Sequence, residues 1–472
     1  MIPATSDRPD RRPPSWRRRW LRRFAAVVAI VLIAGYVWLL VSRRNIRADY
    51  EAAIARLDRE DPGWRLDEME AAREAIPDEE NSARVVVAIH RILPLGVPAA
   101  SLYDALTEIR QTQRLRAWQY GQLCNELDEC EEILTQCRKL AYMPRGRHRP
   151  ISPVATGITD QYKVRMIAPL LHFDAMRSAE DKNLEAALSD CQALVNAGRS
   201  IGDEPLATSQ QNRIAAVNGA CRTIERVLAQ GEPSFDALAA TQRLLERENA
   251  FPLYLLCVRG LRAELHEYFC GMESGRIPVA KSPELIERVV DLAQDPKLEI
   301  LAAHPRMLEM MTRWVEIAGR PDNEGPEALR EFDRQTFGQS SDQILALPYG
   351  ERLTIGLVET YTYLLEQFQG NSVRLRSTIV CLAIERFRRK HGRWPDSLAE
   401  LVPEQLASIP LDPFDGESLR YAQLPDGIFV YSFGPPIARD GADLLLVLDL
   451  EKKHSGCRLW NVDRRRQEPS PE

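Results

Sequence analysis

The segment FAAVVAIVLIAGYVWLLV, Phe24 to Val41, runs for eighteen residues without a charge. At a rise of about 1.5 Å per residue, an α-helix of that length covers roughly 27 Å, close to the hydrocarbon thickness of a bilayer. Trp20, Tyr36 and Trp38 lie towards its two ends, where amphipathic rings favour the headgroup level. The segment predicts a transmembrane helix over 24–41 and makes the lipid bilayer the chain's first partner.

The flanks give its direction. Residues 1–23 carry eight arginines against two acids, Asp7 and Asp10, whereas the far side opens on Arg43, Arg44 and Arg47 and then becomes mixed in sign. Basic residues stay in the cytoplasm, which predicts residues 1–23 as a cytoplasmic tail with the bulk of the chain outside. A cleaved signal peptide ends its apolar core at a small-x-small site. Here the segment runs into SRRNIR, which favours a retained anchor. Beside an apolar span the Arg run reads as topogenic or lipid-facing, not as a nucleic-acid patch.

Taking residues 1–23 from the chain's 62 basic and 68 acidic side chains leaves 54 and 66, a formal net charge of −12. An acidic exterior argues for solubility and against a nucleic-acid partner. The nine cysteines form no CxxC pair, so neither a disulfide framework nor a thiolate zinc site is expected. Cys191, Cys221, Cys257 and Cys381 stand among apolar neighbours, as buried free thiols do.

Beyond the span the pattern is helical. Asn45 to Glu60 extends the membrane helix to the stop Asp61-Pro62-Gly63, and helices follow at 66–76 and at the apolar run Val85 to Leu93. One long helix is predicted over 101–142, with a break near Gly121. A loop over Pro144 to Gly157 then leads to a helical hairpin, its turn at Ala179 to Asn183. Helices at 209–230, 234–249, 252–271, 283–293, 306–318 and 327–337 complete an irregular array over 42–350. No repeat period survives two hairpins, so a solenoid is not expected.

Around Glu351 the texture changes. A helix over 352–390, with a joint at Gly370-Asn371, precedes HGRWPDSLAELVP and then short alternating strands at 419–423 and 428–433 around Pro425-Asp426-Gly427, a hairpin signal. Further strands are expected at 444–450 and 457–462. The chain thus reads as mainly α: a transmembrane helix, an irregular α-helical domain over 42–350, and a small α+β domain with an antiparallel sheet over 351–472.

The string AIERFRRKHGRWPDSLAELVP, followed by LDPFDGESLRY and GIFVYSFG, resembles the globular domain of type II secretion major pseudopilins. Gly392, Trp394, Pro395, Asp412, Pro413, Tyr431 and Gly434 occupy the pattern positions. The whole chain also resembles uncharacterised single-span bacterial membrane proteins, which implies a bacterial inner membrane. Pseudopilins bind calcium after the last matched strand, where this chain has Asp440 and Asp443. A loop so short offers few of the six to eight oxygens that calcium takes, and solvated turn acids are expected. Arg23-Phe24-Ala25 lacks the Gly cleavage site and the fifth-position Glu of a pseudopilin, so assembly into a pilus-like fibre is not expected.

The other candidates for chemistry are sparse. His266-Glu267 with Cys270, in HEYFC, looks like half of a zinc-protease helix, but the second His at i+4 is missing. His90, His172 and His304 stand singly in helical patterns and read as packing residues. Trp394-Pro395 reads as the packing of sheet on helix. No GxSxG, Walker A or GxGxxG string is present in a strand-to-helix context. No catalytic, cofactor or metal residue is therefore assigned. The expected function is an extracytoplasmic, protein-binding envelope scaffold, not an enzyme. The alternatives are a secretion-apparatus component and an enzyme with a cleft between helical domain and tail.

Overall fold

The computed structural model describes residues 15–469, apart from 95, 97, 99, 108, 150–159, 279–295, 322 and 435–454. Helix α1, Ser15–Glu60, runs unbroken from the basic flank through the apolar segment and 19 residues beyond it. It is the one helix, among the described residues, long and apolar enough to cross a membrane, and none of that stretch is covered by the body. Asp61-Pro62-Gly63 ends it, with Gly63 at φ +77°, a left-handed turn that glycine makes without strain.

The body is built from short helices followed by long ones. The short helices are α2 Leu66–Ala71, α3 Ser82–Ile92, α4 Ala100–Thr107, α5 Ala117–Asp128 and α6 Glu131–Lys139. The long ones are α7 Lys163–Glu180, α8 Leu184–Arg199, α9 Ala207–Gln230, α10 Phe235–Asn249, α11 Leu253–Ser274 and α12 Pro296–Ala318. Then come α13 Gly325–Phe337, α14 Ser341–Leu345 and α15 Tyr349–His391. Local chemistry sets the starts. The Asn183 side chain accepts from Ala186 N–H at α8, and Ser234 accepts from Ala237 N–H at α10, each satisfying a first-turn donor. The C-terminal end of α15 is set by Gly392 at φ +72°, a left-handed cap.

Strands β1 Arg420–Leu424, β2 Gly427–Tyr431 and β3 Gly456–Trp460 form an antiparallel sheet in the order β1-β2-β3. Tyr421 pairs with Val430 across the hairpin and Val430 with Cys457 on the other side. The mainly helical fold with a small C-terminal sheet is as the sequence predicts. The expected strand at 444–450, the helix at 283–293 and the acids Asp440 and Asp443 lie outside the described residues.

Two details differ from the periodicity. The helix predicted over 101–142 is three helices, and Gly121 lies inside α5 without breaking it. One interruption falls at residues 129–130 and the longer one before α5, where Arg114 N–H donates to the Gln467 carbonyl and Gln113 bridges to Gln467. A distant segment takes the hydrogen bonds that helix continuation would have used. Conversely, α15 runs straight through Gly370-Asn371 for 43 residues. Asn371 Nδ2 bonds the Gln367 carbonyl one turn back, 2.7 Å away, and the helix is packed on both sides of the joint.

Buried apolar residues form two clusters. One joins α3 to α10 with Leu375–Phe387 of α15 and with Ile428, Val430, Cys457 and Leu459 of the sheet. The other joins Leu57 and Trp64 to α11, α12, Phe332 of α13, and Val358 and Phe368 of α15. The two regions drawn at residue 350 therefore share core, with α15 spanning both clusters. Gly260 allows α11 to seat against the connection before α9, because a Cβ there would land on the Pro205 carbonyl oxygen.

Candidate metal centre

Helix α11 places His266 and Cys270 four residues apart, hence on one face. Helix α12 packs along that face and brings His304 against it. His266 Nδ1 and His304 Nε2 are 3.0 Å apart, and the Cys270 sulfur lies 3.9 Å from His266 Nδ1 and 3.7 Å from its Nε2. The three ligand atoms lie within 4.8 Å of one another. A tetrahedral zinc ion, with bonds of about 2.0–2.1 Å to nitrogen and about 2.3 Å to sulfur, needs separations of roughly 3.3–3.6 Å between such donors. The contacts here straddle that range: the two rings are hydrogen-bonded at 3.0 Å and the sulfur stands 3.7 Å from His266 Nε2, so an ion would enter by replacing the ring–ring hydrogen bond.

Its surroundings fix the ligands. Glu273, one turn beyond Cys270, lies 2.6 Å from His304 Nδ1. The hydrogen-bond network assigns the Nδ1 proton to that contact, leaving Nε2 as a lone pair facing His266. A carboxylate behind a ligating histidine is the arrangement that orients the ring and raises its basicity at metal sites. The rings of Tyr50 and Phe269 flank His304 at 4.9 and 5.1 Å, and Trp64 stands edge-on to His266 at 4.7 Å. His304 is completely buried and His266 nearly so.

Electrostatics suit a neutral nitrogen donor. Burial, then His304 and Arg65, hold His266 down to about 3, so its ring is uncharged at neutral pH. Burial, then Glu273, pushes the Cys270 thiol above its ordinary value. An incoming cation would displace that proton and bind the thiolate. The Tyr50 hydroxyl lies 4.0 Å from the sulfur, and burial and Cys270 raise it as well. Three protein ligands would leave a bound ion one further position to fill; Tyr50, Cys270 and Glu273 also line a neighbouring cavity.

The HEYFC pair thus gains a third candidate ligand, from another helix. His304, with the histidine-orienting Glu273 and the covering Tyr50, is what the sequence reading of a lone half-motif did not assemble. Pro305 follows His304 inside α12 and has no N–H to give the Leu301 carbonyl one turn back, a local opening of the helix beside the site.

The remaining sequence candidates go elsewhere. His172 Nδ1 pairs with the Thr223 hydroxyl at 2.7 Å, and His90 is half-buried on α3. Trp394 donates to Asn461 at 2.8 Å, and the Pro395 carbonyl accepts from Tyr421 and Gln423; both fasten the sheet region to the segment just after α15. All nine cysteines are free thiols.

No family model, curated protein or solved structure matches the chain.

A cavity of about 430 Å³ lies where α9, α11, α12 and α13 meet the middle of α15, lined by Phe251, Tyr254, Leu329, Phe368, Leu375 and Arg376. It occupies the place of the cleft expected between helical region and tail. The polar groups at its edge are engaged in structural bonds. Glu248 accepts from Arg213 and Arg199, and Arg376 donates to the Leu411 carbonyl and to Asn249.

Proposed function

We propose that this chain is a single-span membrane protein with an extracytoplasmic body, and that a thiophilic transition-metal ion of the zinc class, held by His266, Cys270 and His304, stiffens the foot of that body. The observation that carries the reading is the convergence of two histidines and a cysteine from two helices, with Glu273 behind one of them. Nitrogen and thiolate donors in this number select zinc or copper over magnesium or calcium. Tyr50 of the anchor helix packs on the cluster, so a bound ion would tie α11 and α12 together beneath the chain's exit from the bilayer. The body would then be a rigid platform for other proteins, not a domain swinging on a tether. The acidic balance beyond residue 23 suits such an exposed platform.

The purified full-length protein, titrated with Co²⁺ as a spectroscopic probe, is expected to bind one equivalent with tetrahedral ligand-field bands and a thiolate charge-transfer band. Cys270→Ser abolishes the charge-transfer band and His304→Ala the tight binding. Glu273→Gln weakens affinity by about 10–100-fold, as loss of an outer carboxylate does. Wild-type binding no tighter than that of Cys270→Ser would overturn the metal reading.

Topology has its own check. Cysteines introduced at Asp7 and Glu359 should differ in reactivity towards a membrane-impermeant maleimide in intact cells, the second labelled and the first protected. The reverse pattern would place the body in the cytoplasm.

A further inference from the structure

A cavity of about 630 Å³ lies where α5, α7 and α8 converge, and it shares no side chain with the candidate metal centre. Helical spacing turns one face of each helix towards it. Tyr120 and Asp128 lie about two turns apart on α5, and Asp174 and Asp181 two turns apart on α7 and its C-terminal cap. Asp190 faces them from the second turn of α8. Tyr142, 84 % exposed, completes the wall at its outer edge.

The arginines on this wall are already claimed. Arg138 binds Asp174 at 2.7 and 3.1 Å and Glu131 at 2.6 Å. Arg177 holds Asp128, Asp174 and Glu131. Two cations thus answer three carboxylates before Asp181 and Asp190 are counted. Asp181 has the Tyr120 hydroxyl, a neutral donor. Asp190 is 3 % exposed, and its one hydrogen bond, from the Ser178 hydroxyl, is a long 3.5 Å. No basic side chain among the described residues forms an ion pair with it. Burying a carboxylate without a counter-charge costs several kcal/mol. Burial, then Asp174, accordingly push the Asp190 carboxyl up to about 8, against the weaker pull of Arg138, Ser178 and Arg177. The wall therefore carries negative charge in excess, and one buried acid on it is uncompensated.

The arrangement suits an organic cation better than a metal ion. Among the described residues, only His266, Cys270 and His304 bring three metal-ligand atoms within reach of one ion. The acids here do not converge into the oxygen shell that calcium or magnesium takes. An ammonium asks for less, since its three N–H donors can meet the two Asp190 oxygens and the Ser178 hydroxyl. The rings of Tyr120 and Tyr142 offer faces to a cation or to the alkyl chain that carries it.

We propose that this cavity binds a small aliphatic amine, its ammonium seated on Asp190 and Ser178 and its carbon chain against Tyr142. The site goes beyond the proposed function and requires neither the metal centre nor the membrane reading.

The test is calorimetric titration of the purified full-length protein with cadaverine at neutral pH. Wild type is expected to bind one equivalent and to release close to one proton as Asp190 ionises, read from the heats in two buffers of different ionisation enthalpy. Asp190→Asn should weaken binding roughly tenfold or more, the effect of a lost hydrogen bond to a charged group, and should abolish the proton release. Tyr142→Ala should weaken it severalfold. Glu129→Gln, an acid just past α5 that does not line the cavity, should bind as wild type does. Pentanol, of the same length without the charge, should not bind. Equal affinity of wild type and Asp190→Asn, or an equal loss in Glu129→Gln, would overturn the inference, because diffuse attraction to an acidic surface then suffices. Binding of cadaverine by wild type without proton release would overturn it too, a readout that needs no variant to fold.

Discussion

Replacing Glu385 by alanine is expected to destabilise the fold by about 3–5 kcal/mol, the cost of leaving a buried cation without its counter-charge. Arg465 grips Glu385 in a fork, 2.9 and 2.8 Å, and Arg388 adds contacts of 2.6 and 3.1 Å. Arg465 and Glu385 are almost wholly buried, 2 % and 0 % exposed. Arg465 also donates to the Gly231 and Trp460 carbonyls, so one guanidinium joins α9, α15 and β3. Urea unfolding followed by far-UV circular dichroism would measure the loss. Glu385→Met with Arg465→Met should recover a large part of it, since apolar replacement of a buried ion pair is often nearly neutral. A double variant as unstable as the single would mean that packing, not charge, sets the cost.

The same pair sets a pH dependence. Burial opposes ionisation of Glu385, but hydrogen bonds from Arg465 and Arg388 outweigh it and hold the carboxyl below its ordinary value of 4.5. Glu248 behaves alike: burial is again outweighed, here by Arg213 and Arg199. A carboxyl depressed in the folded state stabilises fully above its unfolded value and loses that contribution as pH falls through the folded one. Unfolding free energy should therefore hold near neutrality and drop on acidification below about 4.5. The drop should be shallower in Glu385→Gln than in wild type.

Trp64→Ala is the second large effect, about 3–5 kcal/mol, the range for emptying a buried aromatic site. Trp64 is fully buried just past the end of α1. Its indole N–H donates to Asp58 at 2.8 Å, its ring meets His266, and Arg262 lies 5.7 Å from the ring centre. Asp61 beside it holds Arg259 and Arg262. These contacts dock the end of α1 on α11. Their loss should speed proteolysis around 61–63 relative to the rest of the body, and Trp64→Phe should do so less. Cleavage at the wild-type rate would show that α12 alone suffices to hold α1.

Much of the architecture was legible where one period governs a segment. The charge-free span 24–41, the hairpin 179–183 and the turn Pro425-Asp426-Gly427 each declare themselves within a few residues. Breaks imposed from afar do not. The stretch before α5 looks helical until Gln467 is seen to take its backbone bonds. Gly370 looks like a joint until packing on both sides is seen to carry α15 through it. The candidate metal cluster was half legible for the same reason. His266 and Cys270 share a face by spacing alone, but His304 stands 38 positions further on, between Ile300 and Met307 on an apolar stripe. A histidine so placed looks like packing until the opposing helix is known.

Strand β3 and the cationic segment that follows it have a consequence for the order of assembly. Gln467 bridges to Gln113, Arg466 binds the Glu180 and Ala179 carbonyls, and Arg465 closes on Glu385. Residues 465–467 thus latch together the approach to α5, the end of α7 and α15. The early helices therefore finish burying their ends only once that stretch has docked. Until it docks, the ends of α7 and α15 lack the bonds that close them.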